Sequence, residues 1–196
     1  EPLSSVTLQA VTSFWVGMGA RVEAMPAPLH DLIYAYISHL PHLLAFAARS
    51  VIAVPHTQPD DVALQKFLRL SASRPKLWSE IFFFNRQNIL MALDSYLAAV
   101  KHIASELASS PTVAPQPSFD DTVARLSLFP RIAASCMITA VIEAEKKAGL
   151  SFARYAGRGF TDFTYSANTP PDEAMEHISE HHQIVASVLK EYIERL

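Results

Sequence analysis

The chain has 196 residues, of which half are apolar and only 18% are charged, against about 25% charged in an average soluble domain. Its 16 basic and 19 acidic side chains leave a net charge of −3, and one Cys cannot build a disulfide framework or a Cys-based zinc site. The basic residues form no run, which excludes an electrostatic nucleic-acid binder, and no stretch of about 18 uninterrupted apolar residues marks a transmembrane span. The expectation is a mostly helical chain, with no nucleic acid and no membrane among its partners. Its excess of apolar over charged residues suggests surface that a partner or second copy covers.

The chain begins at Glu1 without a signal-peptide pattern. Ser4-Ser5 can cap a helix carrying Val6, Leu8, Val11, Phe14, Trp15 and Met18, which Gly17 and Gly19 stop. Ala20-Arg21-Val22-Glu23-Ala24-Met25 alternates as a short strand before Pro26 and Pro28. A strand alone has an open edge, and the rest of the chain offers no strong second one. Residues 1–26 are therefore expected to be the last helix and strand of an α/β domain whose earlier part precedes Glu1.

The remainder reads as helix. One is expected over 29–54, with Pro41 kinking it by removing a backbone donor. Asp60-Asp61 starts the next, Ser71 to Pro75 breaks it, and a long helix is expected over 77–108. Residues 111–118, rich in proline, are expected to be a linker. A further helix runs from Phe119 or Asp120 to about Ala148, where Gly149 caps it. A short helix over 151–156 and a last one over 171–196 complete the pattern. The expected organisation is thus 1–26, a first helical unit over 27–110, the linker, and a second helical unit over 119–196.

The two units resemble each other. Ile37-Ser38-His39-Leu40-Pro41-His42-Leu43-Leu44-Ala45 is similar to Leu126-Ser127-Leu128-Phe129-Pro130-Arg131-Ile132-Ala133-Ala134, and both hold a mid-helix proline. Leu70-Ser71-Ala72-Ser73-Arg74-Pro75 is similar to Tyr165-Ser166-Ala167-Asn168-Thr169-Pro170, and the same offset pairs Gln87-Asn88-Ile89-Leu90 with His182-Gln183-Ile184-Val185. Chance similarity of amphipathic segments is one explanation. The other is a duplication, which places a pseudo-twofold dimer inside one chain.

Candidate chemistry is sparse. Gly17-Met18-Gly19 and Gly157-Arg158-Gly159 lack the third glycine and the strand–helix setting of a dinucleotide fingerprint. His39 and His42 are three apart and share a helix side, beside the backbone that Pro41 opens. They are either two partly buried histidines or a pair lining an anion or hydroxyl site. A metal site needs further ligands that the spacing does not supply. Arg69 is either a surface ion pair or a bidentate partner for a carboxylate. Trp78 is a core anchor or a pocket wall. His177, His181 and His182, among glutamates, read as a solvated helix face, and Cys136 as buried filler. Phe82-Phe83-Phe84 covers more than one helix face, so that helix is expected to be buried on several sides, as in an interface.

His30-Asp31, Ser38-His39-Leu40-Pro41-His42, Arg69 to Pro75, Leu77-Trp78 and Asn85 together resemble the C-terminal half of prephenate dehydrogenases, the TyrA family, which includes arogenate dehydrogenases. Ala156-Gly157-Arg158-Gly159-Phe160-Thr161-Asp162-Phe163-Thr164 is similar to the family's glycine-rich GGGFRDFTR motif. The resemblance covers residues 1 to about 108 in order and the second unit more loosely. It implies an all-α, dimerisation-type helical domain of the 6-phosphogluconate dehydrogenase C-terminal kind, with an internal pseudo-duplication and a short N-terminal helix–strand remnant.

The resemblance further implies a cytoplasmic oxidoreductase of tyrosine synthesis. Such an enzyme converts prephenate, or arogenate, with NAD or NADP. From prephenate it makes 4-hydroxyphenylpyruvate and carbon dioxide. His39, His42, Arg69 and Trp78 would bind substrate, with Gly157 and Asp162 contributing from the second unit. The family's catalytic histidine and glycine fingerprint lie in a nucleotide-binding domain absent from these residues. No catalytic residue, no bound cofactor and no turnover are therefore expected of this stretch alone.

Against the family motif, Lys66 stands for the aspartate in the first unit, while Tyr165 and Ala174 stand for the arginine and tryptophan in the second. The family's helical domain forms an intertwined dimer. The partner here is then a second copy of the chain or the chain's own second unit, with one composite site per chain. Two alternatives are a non-catalytic helical dimerisation or ligand-sensing module, which the split motifs favour, and a β-hydroxyacid-type dehydrogenase, which Ser-His-Leu-Pro-His opposes.

Overall fold

A computed structural model describes residues 4–52, 61–109, 121–168, 178 and 181–196. The chain divides into two compact units, Glu1–His30 and Asp31–Leu196. In the first, α1 (Ser5–Gly17) starts where the Ser4 hydroxyl accepts a bond from the Thr7 amide at 3.2 Å. It ends at Gly17, and Gly19 follows with a positive φ of 84°. No residue of α1 is buried. The alternating segment 20–26 is not a strand: it is neither helical nor in a ladder, and no strand occurs among the described residues. Alternation supplies side-chain register only, and the hydrogen bonds that define a strand need a neighbour.

The long helix expected over 29–54 is three pieces on one path: α2 (Ala27–Tyr34), a π turn at Ala35–His39, and α3 (Leu40–Ile52). The distortion owed to Pro41 falls in the turn before it. The Leu40 amide reaches back five residues to the Ala35 carbonyl. Widening that turn moves its carbonyls away from a ring that has no N–H to offer. Pro130 does the same: a π turn at Ala124–Leu128 separates α7 (Asp121–Val123) from α8 (Phe129–Ala148), and the Phe129 amide bonds the Ala124 carbonyl.

α4 (Val62–Arg69) begins at Asp61, whose carboxylate accepts from the amides of Ala63 at 2.7 Å and Leu64 at 3.2 Å. It closes in a 3₁₀ turn, Leu70–Ala72, and Pro75 opens α5 (Pro75–Phe84). The single helix expected over 77–108 is broken at Asn85, where the backbone departs from helical values (φ −103°, ψ 22°), and α6 (Arg86–Ser109) follows. The burial expected of the Phe82-Phe83-Phe84 helix is not supplied by the described residues of this chain. α5 buries no residue, with Phe83 63% and Phe84 81% exposed. Three adjacent rings cannot all face one neighbour across a 3.6-residue turn, and within this chain α5 packs chiefly on α6.

The linker at 111–118 lies outside the described residues. α8 ends at Gly149, whose φ of 63° is the left-handed cap that glycine suits. The helical path Asp121–Ala148, from α7 through the π turn to the end of α8, is long and apolar enough to span a bilayer, but more than half of its apolar stretch is buried inside the protein, so it serves as a core helix. A 3₁₀ turn at Ala153–Tyr155, α9 (Arg158–Phe163), a second 3₁₀ turn at Tyr165–Asn168 and α10 (His182–Arg195) follow. Of the helix expected over 171–196, residues 171–177, 179 and 180 are outside the description. His181 and His182 are not a solvated face: they are 5% and 3% exposed, because α10 turns this end into the packing against α6. His177 lies outside the described residues.

The core of the compact unit Asp31–Leu196 is threaded by aromatic rings. Phe67 of α4 lies 4.6 Å from Phe163 of α9 and 6.1 Å from Phe129 of α8. Phe129 meets Tyr192 of α10 at 4.7 Å, and Tyr192 meets Tyr96 of α6 edge-on at 6.4 Å. All five rings are fully buried. The Tyr192 hydroxyl donates to the Leu44 carbonyl at 3.2 Å, which removes the penalty of a buried O–H. Cys136 is buried here too, and burial pushes its thiol up to about 12. Phe67→Ala, at the head of this series, should lower stability by about 3–5 kcal/mol, measured by urea unfolding. A loss under about 1 kcal/mol would mean that the ring is not a structural centre.

Candidate functional site

The two histidines flank Pro41. His39 closes the π turn and His42 lies in the first turn of α3. Each ring is fixed at Nδ1 by a different partner. The His42 Nδ1 lies 2.8 Å from the Ser38 carbonyl, which can only accept, so Nδ1 carries the proton and Nε2 keeps a lone pair. The His39 Nδ1 lies 3.0 Å from the Asn85 amide nitrogen. That nitrogen also donates to the Asp31 carbonyl at 2.7 Å, while the Asn85 oxygen accepts from Asn88 at 2.7 Å. Asn85 is thereby fixed as donor, so the His39 Nδ1 accepts and a neutral His39 carries its proton on Nε2. The pair is held in opposite tautomers, one a donor and the other an acceptor at Nε2. Such a pair is chemically matched to a hydroxyl, which both donates and accepts.

Trp78 of α5 joins them. Its ring stacks on His42 at 3.5 Å with the planes 19° apart, and stands edge-on to His39 at 6.2 Å. All three side chains are half-buried. Burial holds His42 below its ordinary value of 6.5. The Ser38 bond opposes this, and the Arg69 charge reinforces it. His42 is therefore neutral at pH 7.

Arg69, at the C-terminal end of α4, comes together with Asp162 of α9: Nε lies 2.5 Å from the Asp162 carboxylate, across 93 residues of sequence. Asp162 is 9% exposed and Arg69 47%. The terminal guanidinium nitrogens of Arg69 bond nothing among the described residues, so the aspartate orients a fork that can still receive a carboxylate. Arg158, 84% exposed, approaches the same carboxylate at 3.7 Å. Among the described residues no group of three or more His, Cys, Asp or Glu is placed to hold a metal.

Gly157 caps α9 in extended backbone and has open space about it. The close approach falls on Gly159 instead: a Cβ there would sit 3.4 Å from Cε1 of His42 and 3.8 Å from Leu70. α9 thus lays its backbone on the histidine as well as its aspartate on the arginine. The sequence singled out neither Gly159 nor the anchoring done by Asn85, although both lie in segments that carry the family resemblance. The structure brings together His39, His42 and Trp78, brings Arg69 onto Asp162, and leaves Gly157 at the edge.

An all-helical domain, with charged and imidazole groups gathered among α3, α4, α5 and α9, is the class that this architecture defines. The sequence model described as "Prephenate dehydrogenase, dimerization domain" matches residues 26–112, a span that holds His39, His42, Arg69, Trp78 and Asn85. A cyclohexadienyl dehydrogenase of Zymomonas mobilis is 28% identical over 106 residues, which are 50% of this chain and 36% of that protein. The chain thus spans about a third of that relative's length. No solved structure matches. Over residues 26–112 the chain is thus similar to the dimerization domain of prephenate dehydrogenases.

The depressed His42 value has a stability consequence. The unfolded chain binds this proton more readily than the folded one, so His42 contributes fully above pH 6.5 and its contribution is lost as the pH falls through the lower folded value. His42→Phe keeps a stacking ring and removes the titration. Urea unfolding at pH 7 and pH 5 should show a smaller acid loss in this variant than in the wild type. Equal losses would mean that the histidine titrates alike in both states.

Proposed function

We propose that this domain is the substrate-binding and dimerisation region of a prephenate dehydrogenase-like enzyme. In this reading prephenate, or arogenate, is oxidised with NAD or NADP in the cytoplasm. From prephenate the products are 4-hydroxyphenylpyruvate and carbon dioxide, a step of tyrosine synthesis. The observation that carries it is α9, which holds Arg69 through Asp162 and lies at Gly159 against the His42 ring that stacks on Trp78. Prephenate is a dianion with a ring hydroxyl. A guanidinium fork suits one of its carboxylates, the donor–acceptor imidazole pair suits the hydroxyl, and Trp78 offers a flat wall to the ring.

The described residues do not fit a dinucleotide. They contain no strand–turn–helix with three glycines to cradle a pyrophosphate. In this reading the cofactor and the group that takes the hydroxyl proton belong to a nucleotide-binding domain, with residues 1–26 as its end, and these 196 residues alone turn over no substrate. The dimer partner is either a second chain or the chain's own second helical unit. A ligand-sensing module is the second reading, favoured by Lys66 and Tyr165 standing where the motif's aspartate and arginine would be.

Titration calorimetry with prephenate tests the proposal. Arg69→Ala removes a charge-assisted hydrogen bond worth roughly 1.5–3 kcal/mol, so binding should weaken about tenfold or more. Equal affinity would remove Arg69 from the site, and no binding by the wild-type chain would overturn the substrate assignment. Prephenate-dependent reduction of NAD or NADP by this chain alone would overturn the requirement for another domain.

A further inference from the structure

We infer that residues 121–196 are a built-in second copy of the first helical unit, seated where a dimer partner would sit, so that the chain dimerises with itself. This decides between the two partners left open above, and it stands whichever ligand the site takes.

The first argument is local geometry. π turns account for well under 1% of residues, yet one occurs at Ala35–His39 and another at Ala124–Leu128, each placed identically before Pro41 and Pro130. Their closing bonds, Leu40 to Ala35 and Phe129 to Ala124, coincide in the same register. Further along, Asn85 and His181 are both buried and both stand one residue before a helix, α6 or α10. Their carbonyls accept from Ile89 and Val185 respectively, each at 3.1 Å. This register pairs Gln87 with Gln183, one residue from the pairing that local sequence similarity favours.

The second argument is how the copies touch. In an isologous interface, if residue i of one copy meets j of the other, then j of the first meets i of the second, and residues near the axis meet their own equivalents. In the α6/α10 register, Arg69 is equivalent to Tyr165 and Lys66 to Asp162. Arg69 meets Asp162, and Lys66 stands 3.3 Å over the Tyr165 ring. These are one contact seen from its two sides. Phe67 meets its own equivalent Phe163, and Tyr96 meets its own equivalent Tyr192. Similarity between two amphipathic segments gives no reason for reciprocal pairing.

The third argument is the divergence of the second side. Where the first side has His39, His42, Arg69 and the aspartate across the seam, the second has Leu128, Arg131, Tyr165 and Lys66. The imidazole pair is gone, and an ion pair has become a cation over a ring. One side of the pseudo-dimer keeps the binding groups, and the other keeps only the contact. The family's dimerization-domain model stops at residue 112, in keeping with a second copy that has diverged.

The test places cysteines on the diverged side, away from the binding groups. Lys66→Cys/Tyr165→Cys in the full chain, treated with a short bismaleimide, should give a doubly labelled product that runs as one chain of 21.6 kDa on a denaturing gel. The native Cys136 is buried and serves as the unreactive control in the wild type. Crosslinked two-chain species as the main product would overturn the inference, since the seam would then form between molecules. Absence of any crosslink in a variant with wild-type circular dichroism would overturn it as well.

Discussion

The seam between α4 and α9 is the constraint on which the rest depends. Phe67 and Phe163 are fully buried against each other there, and their contact sets the distance at which every polar group on the two helices meets. Asp162 precedes Phe163, and Arg69 lies two residues beyond Phe67. Once the rings pack, the carboxylate is delivered to the guanidinium. The ion pair alone would contribute little, because Arg69 is half exposed and solvent screens it. The rings provide the adhesion, and the charges provide the orientation.

That division of labour explains why a site can be built from residues 93 positions apart without a large desolvation cost. Asp162 is almost buried and would be costly if unpaired, but Arg69 reaches it from the wet side while Arg158 stands nearby. The π turn solves a parallel problem on α3. It accommodates a proline ring, and the chain continues as helix with His39 and His42 on either side of Pro41. Asn85 then interrupts the α5–α6 path and spends its amide protons on the Asp31 carbonyl and on His39. The break in that helix and the tautomer of the histidine therefore have the same cause.

Much of this was legible in the sequence, for reasons that differ by element. Pro41, Pro130, Asp61 and Gly149 act through their own backbone chemistry, so helix limits and distortions near them could be read locally. The motif halves at Arg69 and Asp162 could be recognised, but their meeting could not, since it depends on which face of α4 meets which face of α9. The strand expected over 20–25 failed because alternation gives side-chain register but is insufficient without a partner to supply the ladder. His181 and His182 were misjudged because neighbouring glutamates suggest solvent, whereas burial is set by the helix lying alongside. Phe83 and Phe84 show the reverse: a run of aromatic residues implied a helix covered on several sides, whereas among the described residues these two rings stay exposed.

A tandem arrangement of two helical units changes what selection on each can do. In a homodimer every substitution appears on both sides of the axis, so the residues that bind a ligand and those that close the seam cannot separate. When both halves lie in one chain they can. Arg69 with Asp162 retains an orienting ion pair, while Lys66 over Tyr165 retains a contact of similar reach without a carboxylate. The buried rings, which adhesion requires from both halves, stay paired as Phe67 with Phe163 and Tyr96 with Tyr192. The polar positions, which only one half needs, are the ones that differ. The pattern of sameness and difference between the halves therefore follows the physical division between packing and recognition.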